Sequence, residues 1–202
     1  MVFYHQTIYS GGSVHGSDTY LIKTLLPIFD AHGVDLAMGG HDHHFERSYP
    51  MYGRQVVNQG MNPNYVNPGG TVYVVAGATA SPRTVYTSCT HTARAFKTPC
   101  VARVEVAGDS LILDAVGTSG EVLDRMTIHK SDGPPPPPPQ NLELWNPVGG
   151  ELLTVGDPLD IEWSSSAGVG PLRIEIARDG GAWETIIAST PNTGSTTWTV
   201  TG

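Results

Sequence analysis

Two histidines one residue apart stand in the run Gly40-His41-Asp42-His43-His44-Phe45-Glu46-Arg47, directly after the apolar stretch Val34 to Met38. In an extended segment, residues two apart point the same way, so His41 and His43 can reach one site together. Neutral imidazole is a common ligand for zinc, iron and manganese, and paired hydrolytic metals sit about 3.5 to 4 Å apart, so one histidine per metal is feasible. His5 ends another apolar stretch, Val2-Phe3-Tyr4, just as His41 follows its own. Two neighbouring strand ends would aim both imidazoles into one crevice above a sheet edge. A histidine-rich loop can also be merely solvated, and it is the placement at two strand ends that argues for metal ligation.

The elements that must hold these residues follow from pattern and punctuation. Val2-Phe3-Tyr4 is expected to be a short buried strand. Ser17-Asp18 supplies capping chemistry ahead of Leu21, Leu25, Ile28 and Phe29 at helical spacing. Pro27 should break or restart that helix, and Gly33 suits the residue after a helix end. Val34 to Met38 then makes a second strand and Gly39-Gly40 opens the histidine loop. Thr71 to Ala76, Val101 to Val106 and Ser110 to Val116 are further strands, with Gly108-Asp109 as a hairpin turn, and the Asp124 to His129 stretch closes the region.

Ser131-Asp132-Gly133 and the prolines Pro134 to Pro139 mark a boundary. Such a run favours an extended spacer of roughly 19 Å at about 3.1 Å per residue. Beyond it, alternation governs Leu159 to Trp163, Leu172 to Ile176 and Trp198 to Val200, separated by turns such as Asp179-Gly180-Gly181. The expected organisation is therefore residues 1–130 as one domain, 131–140 as a proline-rich linker, and 141–202 as a small, all-β sandwich.

Charge narrows the partners. The net charge is -8 and the eleven Lys and Arg are scattered, which leaves no basic stripe for a phosphate backbone, so nucleic acid is excluded as an expected partner. No apolar run approaches the roughly 20 residues of a membrane-spanning helix. Cys89 and Cys100 are too few for a disulfide scaffold or a four-cysteine zinc site; two thiols and one disulfide remain open, the disulfide being expected if the protein is exported.

The stretches Val2 to Ser10, His15-Gly16-Ser17-Asp18, Gly33-Val34-Asp35 and Gly40 to Tyr52, followed by Gly69 to Ala78 and Val116 to Lys130, resemble the purple acid phosphatase branch of the calcineurin-like metallophosphoesterases. The Gly-His-x-His block with its Glu-Arg and Tyr-Pro-Met-Tyr tail carries most of that resemblance. A cupin barrel also has a His-x-His pattern, but here the glutamate falls too early and a helix precedes the motif. Residues 141–202 resemble the immunoglobulin-like or fibronectin-type modules appended to secreted bacterial enzymes, shorter than a full sandwich.

The resemblance implies an α+β fold, the C-terminal part of a four-layer α/β/β/α sandwich, with an all-β immunoglobulin-like sandwich after it. It implies a metal-dependent phosphoric monoester hydrolase with two metal ions, iron paired with zinc, manganese or a second iron. His5 and His41 would bind one ion, His43 the other, and His15 would contact substrate and protonate the leaving group. Glu46 and Arg47 are expected to pair structurally beneath the loop, Tyr49 and Tyr52 to pack, and His32, His44, His91 and His129 to lie on the surface or support the ligands. The resemblance also implies ligand blocks upstream of the His5 strand, an Asp-x-His, a Gly-Asp with tyrosine and a Gly-Asn-His, none present here in that order. The chain is accordingly expected to be a fragment lacking the N-terminal half of its catalytic domain, inactive alone. Expected partners are a phosphomonoester and that missing half, with cell-surface or polysaccharide contact through the C-terminal module, and the expected location is secreted, extracellular or periplasmic. A different class of function, a non-catalytic surface or adhesion module with a degenerate esterase half, stands beside it.

Overall fold

The computed structural model describes residues 1–60, 63–79, 81–132, 142–165 and 169–202. It divides into two compact units, Met1–Pro138 and Pro139–Gly202. The expected proline spacer lies outside the described residues.

In the first unit β1 (Val2–Phe3) leads through a long loop to α1 (Thr19–Ala31) and β2 (Leu36–Gly39), then β3 (Phe45–Ser48), the small hairpin β4 (Met51–Tyr52) and β5 (Gln55–Val56), and β6 (Asn64–Val66). β7 (Val72–Ala76), β8 (Thr92–Phe96), β9 (Cys100–Ala107), β10 (Ser110–Gly117) and β11 (Val122–His129) follow. One sheet has the order β1-β2-β7-β3-β8 and a second the order β6-β11-β10-β9. β1, β2 and β7 are parallel, whereas β3 and β8 run antiparallel to their neighbours.

The two sheets close on each other over Leu36, Met38, Phe45, Val74, Leu113 and Met126. Removing that apolar surface from water, at about 25 cal/mol per Å², is the main drive for stacking them. The other face of the first sheet is covered by α1 through Ile22, Leu26 and Phe29 against Ala37 and Tyr73. The described residues thus form three layers, helix on sheet on sheet.

Asp18 caps the helix, its carboxylate accepting from the Tyr20 and Leu21 amides at 2.9 and 3.0 Å. Two expectations change here. The buried stripe is Ile22, Leu26 and Phe29, whereas Ile28 is 52% exposed; the sequence also fits i, i+4, i+7 one residue later, and the face that meets the sheet decides. The helix also runs unbroken through Pro27. Pro27 lies on the exposed side, where water can serve the carbonyl its missing N–H would have bonded, and the apolar stripe holds the turns on either side. β1 differs as well: it is an edge strand, and Phe3 is 66% exposed rather than buried.

The second unit holds β12 (Leu142–Asn146), β13 (Pro158–Ser165), β14 (Leu172–Ala177), β15 (Trp183–Thr190) and β16 (Ser195–Thr199). They form a three-stranded sheet, β12-β13-β16, and a two-stranded one, β14-β15. Ile161, Trp163, Trp198 and Val200 make its core, with Leu172, Ile174 and Ile187 packed on them from the smaller sheet. Asn192 fixes a corner by accepting from Trp163 Nε1 at 2.7 Å, which satisfies a donor that burial would otherwise strand.

Candidate metal centre

β1 and β2 pair in parallel with Val2 opposite Ala37 and Phe3 opposite Met38, so both strands end at the same edge. The Gly40 amide donates to the His5 carbonyl at 3.0 Å and joins the two departing chains. His5 Nε2 then stands 3.1 Å from His41 Nδ1, the rings meeting edge-on at 77°. Nitrogens of two imidazoles bound at about 2.1 Å to one tetrahedral ion would be about 3.4 Å apart. The 3.1 Å contact is itself an imidazole–imidazole hydrogen bond, and it lies only a few tenths of an ångström inside that spacing, so a small separation of the rings would let both serve one borderline transition-metal ion. His41 sits at a φ of 62°, a left-handed conformation that is uncommon away from glycine and gathers at functional sites.

The loop from Ser10 to Ser17 brings His15 to the same place. The Ser10 amide donates to Ser17 Oγ at 3.0 Å, the Asp18 amide to the Ile8 carbonyl at 3.2 Å, and Thr7 Oγ1 to the Gly16 carbonyl at 3.2 Å. So tied, the loop lays the His15 ring 4.1 Å from the His41 ring. His43 makes no hydrogen bond to these three; its Nδ1 is buried without a partner among the described residues, and its carbonyl accepts from the Arg83 amide at 2.6 Å. An orphaned buried nitrogen is costly unless something satisfies it, which fits a ligand role. The donor set is nevertheless short: among the described residues no group of three or more His, Cys, Asp or Glu is arranged to hold an ion.

Beneath the histidines lies a polar layer in which pattern reading placed Glu46 but not Asp42. Asp42 is 2% exposed and accepts from Ser10 Oγ at 2.5 Å. Glu46, also 2% exposed, accepts from the Gly11 amide at 2.7 Å and Thr92 Oγ1 at 2.6 Å, with His44 Nε2 at 3.1 Å and His91 Nε2 at 3.2 Å. Burial pushes the Glu46 carboxyl up, but the bonds from His44, His91, Thr92 and Gly11 together outweigh it and hold the group below the usual carboxylate range. Glu46 thus does not pair with Arg47, contrary to expectation. Successive strand residues point to opposite faces, and Arg47 turns the other way to grip Asp124, Nε to Oδ2 at 2.6 Å and Nη2 to Oδ1 at 3.0 Å.

The sequence signal for this layer was its glycines. A side chain at Gly12 would strike the Asp42 carboxylate and one at Gly77 the Asp42 carbonyl, so small residues at both positions admit the buried acid. Of the other histidines, His44 is buried and His91 partly so, both at Glu46, while His129 is exposed beside Ser110 at 3.1 Å. Cys89 and Cys100 are separate thiols.

No protein-family model matches the chain. It is 39% identical to acid phosphatase type 7 of Mus musculus over 51 residues, 25% of this chain and 12% of that protein. It is 30% identical over 112 residues to a nucleotide pyrophosphatase/phosphodiesterase of Hordeum vulgare, 54% of this chain and 30% of that one. Purple acid phosphatase PPD1 from yellow lupin seeds superposes with a TM-score of 0.60 at 23% identity, over 65% of this chain and 25% of the lupin chain. The resemblance to the purple acid phosphatases holds. With the lupin enzyme it is a likeness of fold. The chain spans between 12% and 30% of the length of the mouse and barley relatives. Among the described residues no helix is long and apolar enough to cross a membrane.

Proposed function

We propose that this chain carries part of the active site of a metal-dependent phosphoric monoester hydrolase, acid-phosphatase-like in its chemistry. The observation that carries the reading is the 3.1 Å approach of His5 and His41 at the adjoining ends of two parallel strands. In this reading His5 and His41 hold one ion and His43 a second, iron with zinc, manganese or another iron. Such ions, when bound, supply an activated water and screen the charge on the phosphate. This chain's own residues do the rest. His15, held against His41, gives a proton to the leaving oxygen. Ser10, Asp42 and Glu46 fix the two loops on which these imidazoles ride, so that little reorganisation is needed on binding.

The remaining ligands, the fourth layer of an α/β/β/α sandwich and an export signal belong, on this proposal, to other parts of a longer protein. Val101 is 55% and Val122 46% exposed on the second sheet, apolar surface that a further layer would cover. The second unit, read as an immunoglobulin-like module of a secreted enzyme, gathers no acid, base or ligand cluster among its described residues and would serve attachment to a surface or polysaccharide. The lack of a three-donor group among the described residues favours the second reading, a non-catalytic module, for the chain alone.

Metal analysis of the complete protein separates these. Alanine at His5, His41 or His43 should cost about one ion per chain, while His15→Ala should slow 4-nitrophenyl phosphate hydrolysis roughly 10²- to 10⁴-fold with both ions retained. Loss of an ion from His15→Ala, or two ions kept in both His41→Ala and His43→Ala, would overturn the roles. A complete protein that binds no metal and hydrolyses nothing establishes the non-catalytic reading. The isolated chain should fall far below the roughly 1 to 10 per second of an ordinary enzyme.

A further inference from the structure

On the face of β3 away from Glu46, Arg47 is 4% exposed and spends Nε and Nη2 on Asp124. Its Nη1 is buried and no partner among the described residues meets it in good hydrogen-bond geometry, although the Tyr65 hydroxyl is close enough to interact with the guanidinium. The register sets Arg94 of β8 directly opposite Arg47, so both guanidinium groups stand on one face. Like charges directly opposite across a ladder are destabilising. Among the described residues Arg94 has no carboxylate to offset this: it lies 5.6 Å over the Phe96 ring and 3.5 Å from the Leu123 carbonyl. Between these groups opens a cavity of about 420 Å³ lined by Arg47, Arg94, Arg125, Tyr49, Tyr65 and Asp124 among others. Two guanidinium groups, those of Arg47 and Arg94, face the one carboxylate of Asp124 here, in a chain whose net charge is -8; Arg125 lines the cavity but its guanidinium turns to Asp114 on the other face of β11.

We propose that this cavity between β3, β8 and β11 is a binding site for a compact phosphate-class oxyanion, separate from the histidine cluster on the other side of the strand. The planar fork of arginine matches tetrahedral oxyanions and makes its strongest hydrogen bonds to them. An anion there would satisfy Arg47 Nη1 and relieve the Arg47–Arg94 repulsion at once. Arg125 takes no part as a ligand, since Nε and Nη2 are committed to Asp114 at 2.6 and 2.9 Å. Tyr49 and Tyr65 also line the cavity.

The test titrates inorganic phosphate into the metal-free chain at low salt, followed by calorimetry and ³¹P line width. Three proteins are compared: the unaltered chain, His41→Ala/His43→Ala, and Arg94→Gln. Arg94 is exposed, so its replacement should not disturb folding. Saturable binding is expected in the first two, weakened roughly tenfold in Arg94→Gln, the size of one charge-assisted bond. Glycerol 2-phosphate as competitor then tells the source: displacement means that esters enter, and no displacement means a site for the free ion, either being the proposed oxyanion site. No saturation by about 10 mM, binding lost with the histidines, or binding unchanged in Arg94→Gln each overturns the proposal.

Discussion

Replacing Glu46 with glutamine tests the buried layer without changing its shape. The carboxylate is hydrogen-bonded to Gly11, Thr92 and His44 at 2.6 to 3.1 Å, with His91 Nε2 close by at 3.2 Å. The amide oxygen can keep Gly11 and His44, but the new NH₂ must then face Thr92 and His91. The threonine hydroxyl can rotate to accept and His91 can change tautomer, so no contact need be abandoned. What disappears is the charge. Hydrogen bonds to a charged group contribute about 1.5 to 3 kcal/mol against about 1 for neutral ones, and relief from burying a charge returns part of the loss. A net destabilisation of about 2 to 3 kcal/mol at pH 7 follows, or a fall in Tm of roughly 10 °C. The acid side fixes the sign. The folded-state carboxyl is held below its unfolded value of about 4.3, so its contribution is complete above about pH 5 and declines as pH falls toward the folded-state value. Thermal unfolding of both proteins at pH 7 and pH 3 should therefore show the gap narrowing in acid. A gap equal at both, or a fall below about 3 °C at pH 7, refutes the assignment of Glu46 as an ionised anchor.

Asp114 offers a second pH test: Arg125, then Arg103, hold its carboxyl down to about 2, so stability present above about pH 4 should be lost between about pH 4 and 2. Because Arg103 and Arg125 are 60% and 57% exposed, solvent screening limits Asp114→Asn to about 1 kcal/mol by urea unfolding, and a cost above about 3 would contradict this. Removal of residues 139–202 from the complete protein should change kcat/KM less than about tenfold, or roughly 1.4 kcal/mol; a larger loss would give the second unit a part in the site.

Much of the first unit could be read from the chain because its signals are local. The apolar runs that became β2, β7, β9 and β10 hold their pattern within a few residues, and Gly108-Asp109 closes its hairpin where a turn was expected, with Gly108 at a φ of 56°. The convergence of His5 and His41 was also legible, since it needs only two adjacent parallel strands and their ends. β3 and β8 were not. Phe45-Glu46-Arg47-Ser48 looks like a charged loop tail, and every one of its residues is buried. A strand made of a phenylalanine, two opposite charges and a serine can be buried only if partners distant in sequence neutralise it. Those partners, Gly11, Thr92 and Asp124, carry no pattern of their own.

The same strand explains how the histidine loop holds its shape. Phe45 anchors it in the core between the sheets, Glu46 reaches the loop after β1, and Arg47 clamps the second sheet through Asp124. Each successive side chain thus binds the strand to a different body, and β3 begins two residues after His43. His41 and His43 therefore sit on a loop whose downstream end cannot shift without breaking a charged contact on one face or opening the core on the other. Alternation with a period of two, ordinarily read as inside and outside, here divides two interiors. One interior supports the imidazoles. The other leaves an arginine nitrogen unsatisfied.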